Sequence, residues 1–305
     1  MHEISDGTTA SNSPQQETPS APPPLTDRIS DALQNGVKAI IGSNRKPPRR
    51  FRSLLNGTWL GHPLHPAITD IPIGAWLLAA ILDIVWLVSP DANAWAARGA
   101  EATILIGIIA AVGAAATGLT DWSDTYGSER TVGLYHAGLN TLALVLYVIS
   151  LILRLGITSG ESVAAAIIGF VGLVVVLVAA YLGGDMVFGK ATGVNHTAWP
   201  EGSADYVPVL PEADLPENTL RRVDVAGVPV VIVKLRGKYS AIAATCSHAG
   251  GPLDEGELQG DVVQCPWHGS RFRMGDGKVL TGPATFPQPR YDVLVRDGLI
   301  HLKQA

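Results

Sequence analysis

The sequence predicts a bundle of four transmembrane α-helices followed by a small all-β domain, and three observations predict it. Of 305 residues, 47% are hydrophobic and only 16% are charged, against roughly a quarter charged in an ordinary soluble domain. The apolar residues are concentrated: positions 71–182 are mostly Ala, Val, Ile, Leu and Gly, whereas the chain after Pro200 has the texture of a soluble domain. Within the apolar half, four runs each approach the ~20 residues a helix needs to cross about 30 Å of hydrocarbon. A buried bundle in a water-soluble protein is the competing reading, and four runs with so little charge weigh against it. The expected domains are an arm over 1–52, a transmembrane domain over 53–198 and a β-domain over 205–305.

Taken in order, residues 1 to about 26 are rich in Ser, Thr, Pro and Gln and lack the apolar groups that would offset ordering entropy, so they are expected to be disordered. No early apolar core marks a cleavable signal peptide. Leu25, Ile29, Leu33, Val37 and Ile40 then recur at helical spacing with charge on the other side. Such a helix either lies on the protein surface or rests on lipid. The four apolar runs follow at 71–88, 102–119, 132–153 and 163–182, with Trp59, Trp95 and Trp122 near run ends as an interfacial aromatic belt would place them.

Lys and Arg set the orientation. Arg45, Lys46, Arg49, Arg50 and Arg52 precede the first span, whereas the two expected outer loops carry only Arg98 and Arg154. The positive-inside bias puts the N-terminus in the cytoplasm, and four spans return the C-terminal domain to that side. Arg49-Arg50 as a twin-arginine export signal is the rival, but the first apolar run begins too far downstream. A net charge of −5 argues against a nucleic-acid partner, which needs a concentrated basic surface.

After Pro200 the pattern turns to short strands broken by Gly and Pro. Residues 228–235 and 238–245 form a hairpin across Arg236-Gly237, positions 261–264 and 271–274 read as further strands, and 291–303 turns at Asp297-Gly298. The two cysteines of the chain fall inside this domain, in Cys246-Ser247-His248 and, after sixteen intervening residues, Cys265-Pro266-Trp267-His268. Each segment places one thiolate and one imidazole on a tight loop. Two sulfur and two nitrogen donors also suit structural zinc, but zinc fingers pair Cys with Cys and His with His, whereas each loop here mixes the two.

These loops resemble the Rieske family, over roughly residues 205–305. Gly250-Gly251-Pro252 continues the first loop as family members do, and Gly282-Pro283-Ala284 matches the proline loop that covers the cluster. The resemblance implies a [2Fe–2S] cluster in which Cys246 and Cys265 hold one iron and His248 and His268 the other. Quinol-oxidising members carry an extra Cys in each loop, forming a disulfide; Gly251 and Trp267 stand at those places. Such members also direct a Ser and a Tyr hydroxyl at cluster sulfurs. Ser270 matches the first and Phe272 occupies the second. Hydrogen bonds to sulfur raise the potential, so an intermediate value is expected within the family's span of roughly −150 to +300 mV.

Ionisable residues in the membrane section are costly and often functional. His62, His65 and Asp70 lie before or at the first span, Asp121 ends the second, His136 opens the third, Asp185 follows the fourth, and Asp83 sits deeper in the first. They form either a second redox site, such as a b-type haem or a quinone pocket with His65 and His136 as the leading pair, or a set of helix caps and pairs that position loops. This section resembles an uncharacterised four-helix membrane family sometimes fused to Rieske modules, through the His62-Pro63-Leu64-His65-Pro66 segment and the Asp residues after it. That resemblance implies an architecture and no reaction.

The expected function is membrane-anchored one-electron transfer between a reductase or quinol and an oxidase, oxygenase or other acceptor. A self-contained oxygenase would need a further iron domain, for which the chain after the β-domain leaves no room. A subunit of a quinol-oxidising respiratory complex is disfavoured by the missing disulfide. A redox-sensing or structural membrane protein is the alternative of another class.

Overall fold

The computed structural model describes residues 24–43, 50–157, 161–199 and 202–305. The polar stretch before Pro24 and three members of the basic run, Arg45, Lys46 and Arg49, lie outside the described residues. Two short helices, α1 (Leu25–Ile41) and α2 (Arg50–Asn56), precede four long ones: α3 (Leu64–Val88), α4 (Ala94–Trp122), α5 (Gly127–Ile157) and α6 (Val163–Gly184). The long helices are each long and apolar enough to cross a membrane. Each of the first three outruns its apolar run, because the flanking polar residues satisfy their backbone groups by continuing the helix. His65, Asp70, Asp121 and His136 therefore sit on helices. Ser162 caps α6 by accepting from Ala165 N–H.

The bundle is built from two like hairpins, α3–α4 and α5–α6. On α3, His65, Trp76 and Asp83 occupy the same positions as His136, Tyr147 and Arg154 on α5, each matched pair sharing the 71-residue separation of Asp83 and Arg154. Where the hairpins meet, Trp76 stacks on Tyr147 with centroids 4.1 Å apart. Deeper still, Arg154 grips Asp83 with two hydrogen bonds of 2.9 and 2.6 Å, both side chains buried. Arg154, expected in an outer loop, is thus inside the bundle. A lone carboxylate in hydrocarbon is costly, and the planar guanidinium satisfies both its oxygens at once. Gly107 and Gly118 on α4, like Gly172 and Gly183 on α6, lie beneath the rings of Trp76, His65, Tyr147 and His136, so close that an added Cβ would come within 3.0 Å.

The short helices cover the end of the bundle nearest the β-domain. α1 turns its polar side inward: Gln34 donates to Trp122 O and Thr125 O at 2.9 and 3.0 Å, and Asp27 and Asp31 pair with Arg130. Leu25, Ile29, Leu33 and Ile40 are left facing out, Ile40 to 84%. Arg52 on α2, read above as part of a topology signal, is fully buried. It donates to Gly42 O, Thr120 O and Ser123 Oγ and pairs with Asp124 at 2.5 Å, locking α2 to the end of α4. Trp59 and Trp95 are exposed as belt residues should be. Trp122, at 5% exposure, is not; its indole donates to Arg130 O instead.

The C-terminal domain is two antiparallel sheets. Strands β1 (Val207–Pro211), β2 (Arg221–Val225), β3 (Val228–Leu235) and β4 (Lys238–Ala243) are followed by β5 (Glu257–Gln259), β6 (Val262–Gln264), β7 (Arg271–Arg273), β8 (Val279–Thr281), β9 (Arg290–Arg296) and β10 (Leu299–Gln304). One sheet runs β1-β10-β9-β4-β3-β2 and the other β5-β6-β7-β8. Arg236-Gly237 and Asp297-Gly298 close their hairpins with positive φ at both residues, the type I′ geometry whose twist matches the strands. Between the sheets, Val231, Val233, Ile242, Leu253, Val263, Phe272 and Met274 form the core that backs the two cysteines.

Candidate functional site

The two Cys/His segments fold into knuckles with the same backbone. In the first, leading out of β4, Cys246 N–H donates to Gly251 O at 2.8 Å and Gly250 N–H returns to Cys246 O at 2.9 Å. In the second, between β6 and β7, Cys265 N–H donates to Ser270 O at 2.8 Å and Gly269 N–H returns to Cys265 O at 3.1 Å. Gly250 and Gly269 both take φ of 77°, a left-handed turn that a side chain would resist. His248 lies two residues after its cysteine and His268 three, yet the rings meet edge to face with centroids 4.9 Å apart.

Behind the rings, Cys246 and Cys265 are buried and form no disulfide. The Cys246 thiol is pushed well above its ordinary value, first by its hydrogen bond with Cys265 and then by burial, while the backbone N–H groups of His248 and Ala249 point at the sulfur and oppose the shift. His248 is held neutral, its pKa lowered to about 3 by burial and by the neighbouring His268, His196 and Arg52. Its Nδ1 is buried and lacks a hydrogen-bond partner, a cost that a metal bond would remove. Among the described residues no three His, Cys, Asp or Glu side chains converge as a single ion requires. Two buried thiols in contact with each other and two imidazoles in contact with each other suit a cluster with one iron for each pair of donors, whereas structural zinc gathers all four donors on one ion.

The surroundings bear on the cluster's properties. A Cβ on Gly251 would come within 2.9 Å of Cys265 Sγ and 3.1 Å of the Trp267 ring. The two positions that carry the extra cysteines elsewhere therefore face each other here, filled by a glycine and an indole. Ser270 is buried and its Oγ accepts from Ala284 N–H at 2.9 Å, which leaves its hydroxyl proton to donate. Phe272 is buried in the core and has no hydroxyl. Pro283 stands in the loop Gly282–Ala284, and the Gln288 amide is placed to bridge Thr245 O and Ser247 N at 3.0 and 2.7 Å, bracing the first knuckle. Gln288 carries no sequence signal.

The histidine edge faces the membrane section. Gly282 N–H donates to Ser53 Oγ and Thr58 Oγ1 to Ala284 O, seating the proline loop on the α2–α3 turn. Tyr126 stacks near His268, centroids 6.1 Å apart, and His196 N–H donates to Ser247 O at 3.0 Å. Asn56 donates to Asp121 at 2.6 Å, and both line a cavity of about 40 Å³ with Pro63, His248 and Pro283. Asn56, Tyr126 and His196 carried no motif and emerge only from the fold. Of the membrane residues singled out in the sequence, His65 and His136 come together at 6.4 Å and Asp121 reaches the cluster side. His62 is exposed, its Nδ1 donating to Pro63 O; Asp70 is exposed on α3; Asp83 is taken by Arg154.

Comparison with known proteins finds two families and several relatives. The Rieske [2Fe-2S] domain family matches residues 205–292, and the family described as a predicted membrane protein, DUF2231, matches 61–196. Ferredoxin CarAc of Metapseudomonas resinovorans is 32% identical over 98 residues, 32% of this chain and 92% of the relative. The 3-phenylpropionate/cinnamic acid dioxygenase ferredoxin subunit of Escherichia coli (strain K12) is 38% identical over 93 residues, 30% of this chain and 87% of the relative. Among solved structures, the ferredoxin of carbazole 1,9a-dioxygenase from Nocardioides aromaticivorans IC177 is 29% identical, covering 33% of this chain and 98% of that one, with a TM-score of 0.32. The chain belongs to the Rieske family through its C-terminal third, carries that family's [2Fe–2S] cluster, and joins it to a membrane domain of four helices.

Proposed function

We propose that the protein is a membrane-anchored one-electron carrier whose cluster is held by Cys246 and Cys265 on one iron and by His248 and His268 on the other, with Ser270 donating to a cluster sulfur and Pro283 closing the third side. The cluster, when bound, supplies reversible one-electron chemistry. The knuckles bring thiols and imidazoles together, burial excludes water from the sulfurs, and the proline loop fixes the domain on its anchor. The observation that carries the reading is the shared knuckle backbone with the orphaned Nδ1 of His248. Relatives named as ferredoxin subunits of dioxygenases favour a reductase as donor and an oxygenase-type protein as acceptor. Quinol is the second donor reading, favoured by the burial of the histidine edge against the membrane section.

The outward apolar face of α1 supports a helix resting in the lipid interface. On this reading the β-domain lies at the same membrane face. Arg28, Lys38, Arg50, Arg130 and Lys190 flank that end of the bundle while Arg98 flanks the other, which supports a cytoplasmic cluster. The test is a redox titration of the full chain in nanodiscs, followed by turnover with a soluble ferredoxin reductase or with quinol and an artificial one-electron acceptor. A one-electron Nernst response, with about 59 mV per decade, and sustained acceptor reduction are expected. Redox-dependent partner binding without turnover would replace the carrier by a sensor.

A further inference from the structure

The two hairpins meet at three levels, and only one keeps the same residue on both sides. Trp76 faces Tyr147, Asp83 faces Arg154, but His65 faces His136, with ring planes at 89° and centroids 6.4 Å apart. Complementary pairs explain themselves by stacking and charge. The two histidines have neither opposite charge nor a close stacked contact, and their 6.4 Å spacing leaves room for an atom bound between the rings.

Their hydrogen bonds are those of metal ligands. His65 Nδ1 donates to Ala114 O at 2.9 Å, with Thr117 Oγ1 at 3.4 Å, and His136 Nδ1 donates to Ala179 O at 2.8 Å. Each carbonyl belongs to the second helix of the same hairpin. Such a bond fixes the tautomer, orients the ring and raises the basicity of the other nitrogen. Asn140 Nδ2 donates to His136 O at 2.9 Å and lies 3.2 Å from His136 Nε2; an amide nitrogen has two N–H groups, so a metal bond at Nε2 would replace the longer of these two contacts. Gly118 and Gly183, at equivalent places, admit the rings against the helix backbone. Two metal–nitrogen bonds of roughly 2.0–2.1 Å set in line would separate ring centroids by a little over ~6 Å, the spacing observed.

The donor count selects the metal's form. No third His, Cys, Asp or Glu among the described residues joins the pair, and a bare zinc site needs three or four protein donors. An iron porphyrin brings its own four nitrogens and leaves two axial positions. We propose that His65 and His136 are the axial ligands of a b-type haem held between the hairpins, directly beneath the histidine edge of the Rieske cluster; Pro63, two residues from His65, shares a small cavity with His248. The assignment rests on the membrane section alone and stands apart from the choice of cluster ligands.

The test is the full chain, expressed with haem precursor and purified in detergent, with haem quantified by pyridine haemochrome and the cluster read by EPR on the same sample. Haem stoichiometric with the chain and a low-spin reduced spectrum are expected. His65→Leu and His136→Leu should each lose the haem while keeping the cluster signal, and His62→Leu should keep both. His136→Met should retain haem at a shifted potential, a readout independent of whether the leucine variants fold. Cluster-replete wild type that holds no haem and takes up none when iron protoporphyrin is added overturns the proposal and leaves the electron-carrier reading intact. Haem that survives both leucine substitutions, or an unchanged potential in His136→Met, overturns it as well.

Discussion

The Cys/His site and the helical bundle are each built from two like halves, and the halves differ in opposite ways. In the β-domain the two knuckles share every backbone hydrogen bond that shapes them and the same pair of donor types, differing only in where the histidine falls after the cysteine. In the bundle the hairpins share their positions and spacing, while the facing residues have become unlike: indole against phenol, carboxylate against guanidinium. A site that must hold one cofactor symmetrically constrains its chemistry on both sides. An interface that must only pack and neutralise charge is free to divide the roles. The proposed haem would make His65 and His136 the one pair that follows the first pattern inside a domain that otherwise follows the second.

The largest expected effect tests the knuckles as equals. Cys246→Ser and Cys265→Ser should each abolish the cluster's EPR signal and labile sulfide, with the bundle still folded by circular dichroism. Retention of a native signal in either would break the equivalence. Next comes the division of roles in the bundle. Arg154→Leu leaves Asp83 without its buried partner and should cost about 3–5 kcal/mol in detergent unfolding, whereas the double variant Asp83→Leu/Arg154→Leu should recover most of it. The exchange Asp83→Arg/Arg154→Asp should fold, since the two positions are equivalent.

Smaller effects sharpen the same comparison. Gly107→Ala presses a methyl into Trp76 more deeply than Gly172→Ala presses one into Tyr147, so the first should destabilise more, each by roughly 1–3 kcal/mol. In the knuckles, Ser270 stands where Gly251 stands in the other half, and only Ser270 can donate to sulfur. Ser270→Ala should lower the cluster potential by on the order of tens of millivolts, since a bond that strengthens with the added electron is removed. The smallest effect lies at the far edge of the β-domain. Glu212 accepts from Tyr239 at 2.5 Å and from Lys234 at 3.4 Å, and the tyrosine hydrogen bond chiefly holds its carboxyl below the usual glutamate value. A lowered folded value stabilises above the ordinary pKa and fades as pH falls through the lowered one. Tyr239→Phe should therefore lose a little stability at neutral pH and converge with wild type in acid.

The two Cys/His loops were legible in the sequence because candidate donors and turn residues occupy short contiguous stretches, and the hairpins at Arg236-Gly237 and Asp297-Gly298 were legible through their turn signals. Strands β1, β2, β5 and β8 were not, being short and, in β1, interrupted by Pro208. The four spans were plain from length and apolar content, but the likeness of the two hairpins was not. Its matching positions are few, scattered among interchangeable Ala, Leu and Val, and at two levels the matching residues have become different. Arg154 read as a loop residue because it ends an apolar run, and only its pairing with Asp83 shows it to be interior. The periodicity of α1 was evident, yet which side faces the protein depends on Gln34 reaching Trp122 O, a contact across 88 residues.

The central claim is that two mixed knuckles close on one [2Fe–2S] cluster, and elemental analysis with EPR of the dithionite-reduced full chain tests it most directly. About two iron and two labile sulfide per chain, with the low average g value of mixed sulfur–nitrogen ligation, are expected. Stoichiometric zinc without labile sulfide would contradict it.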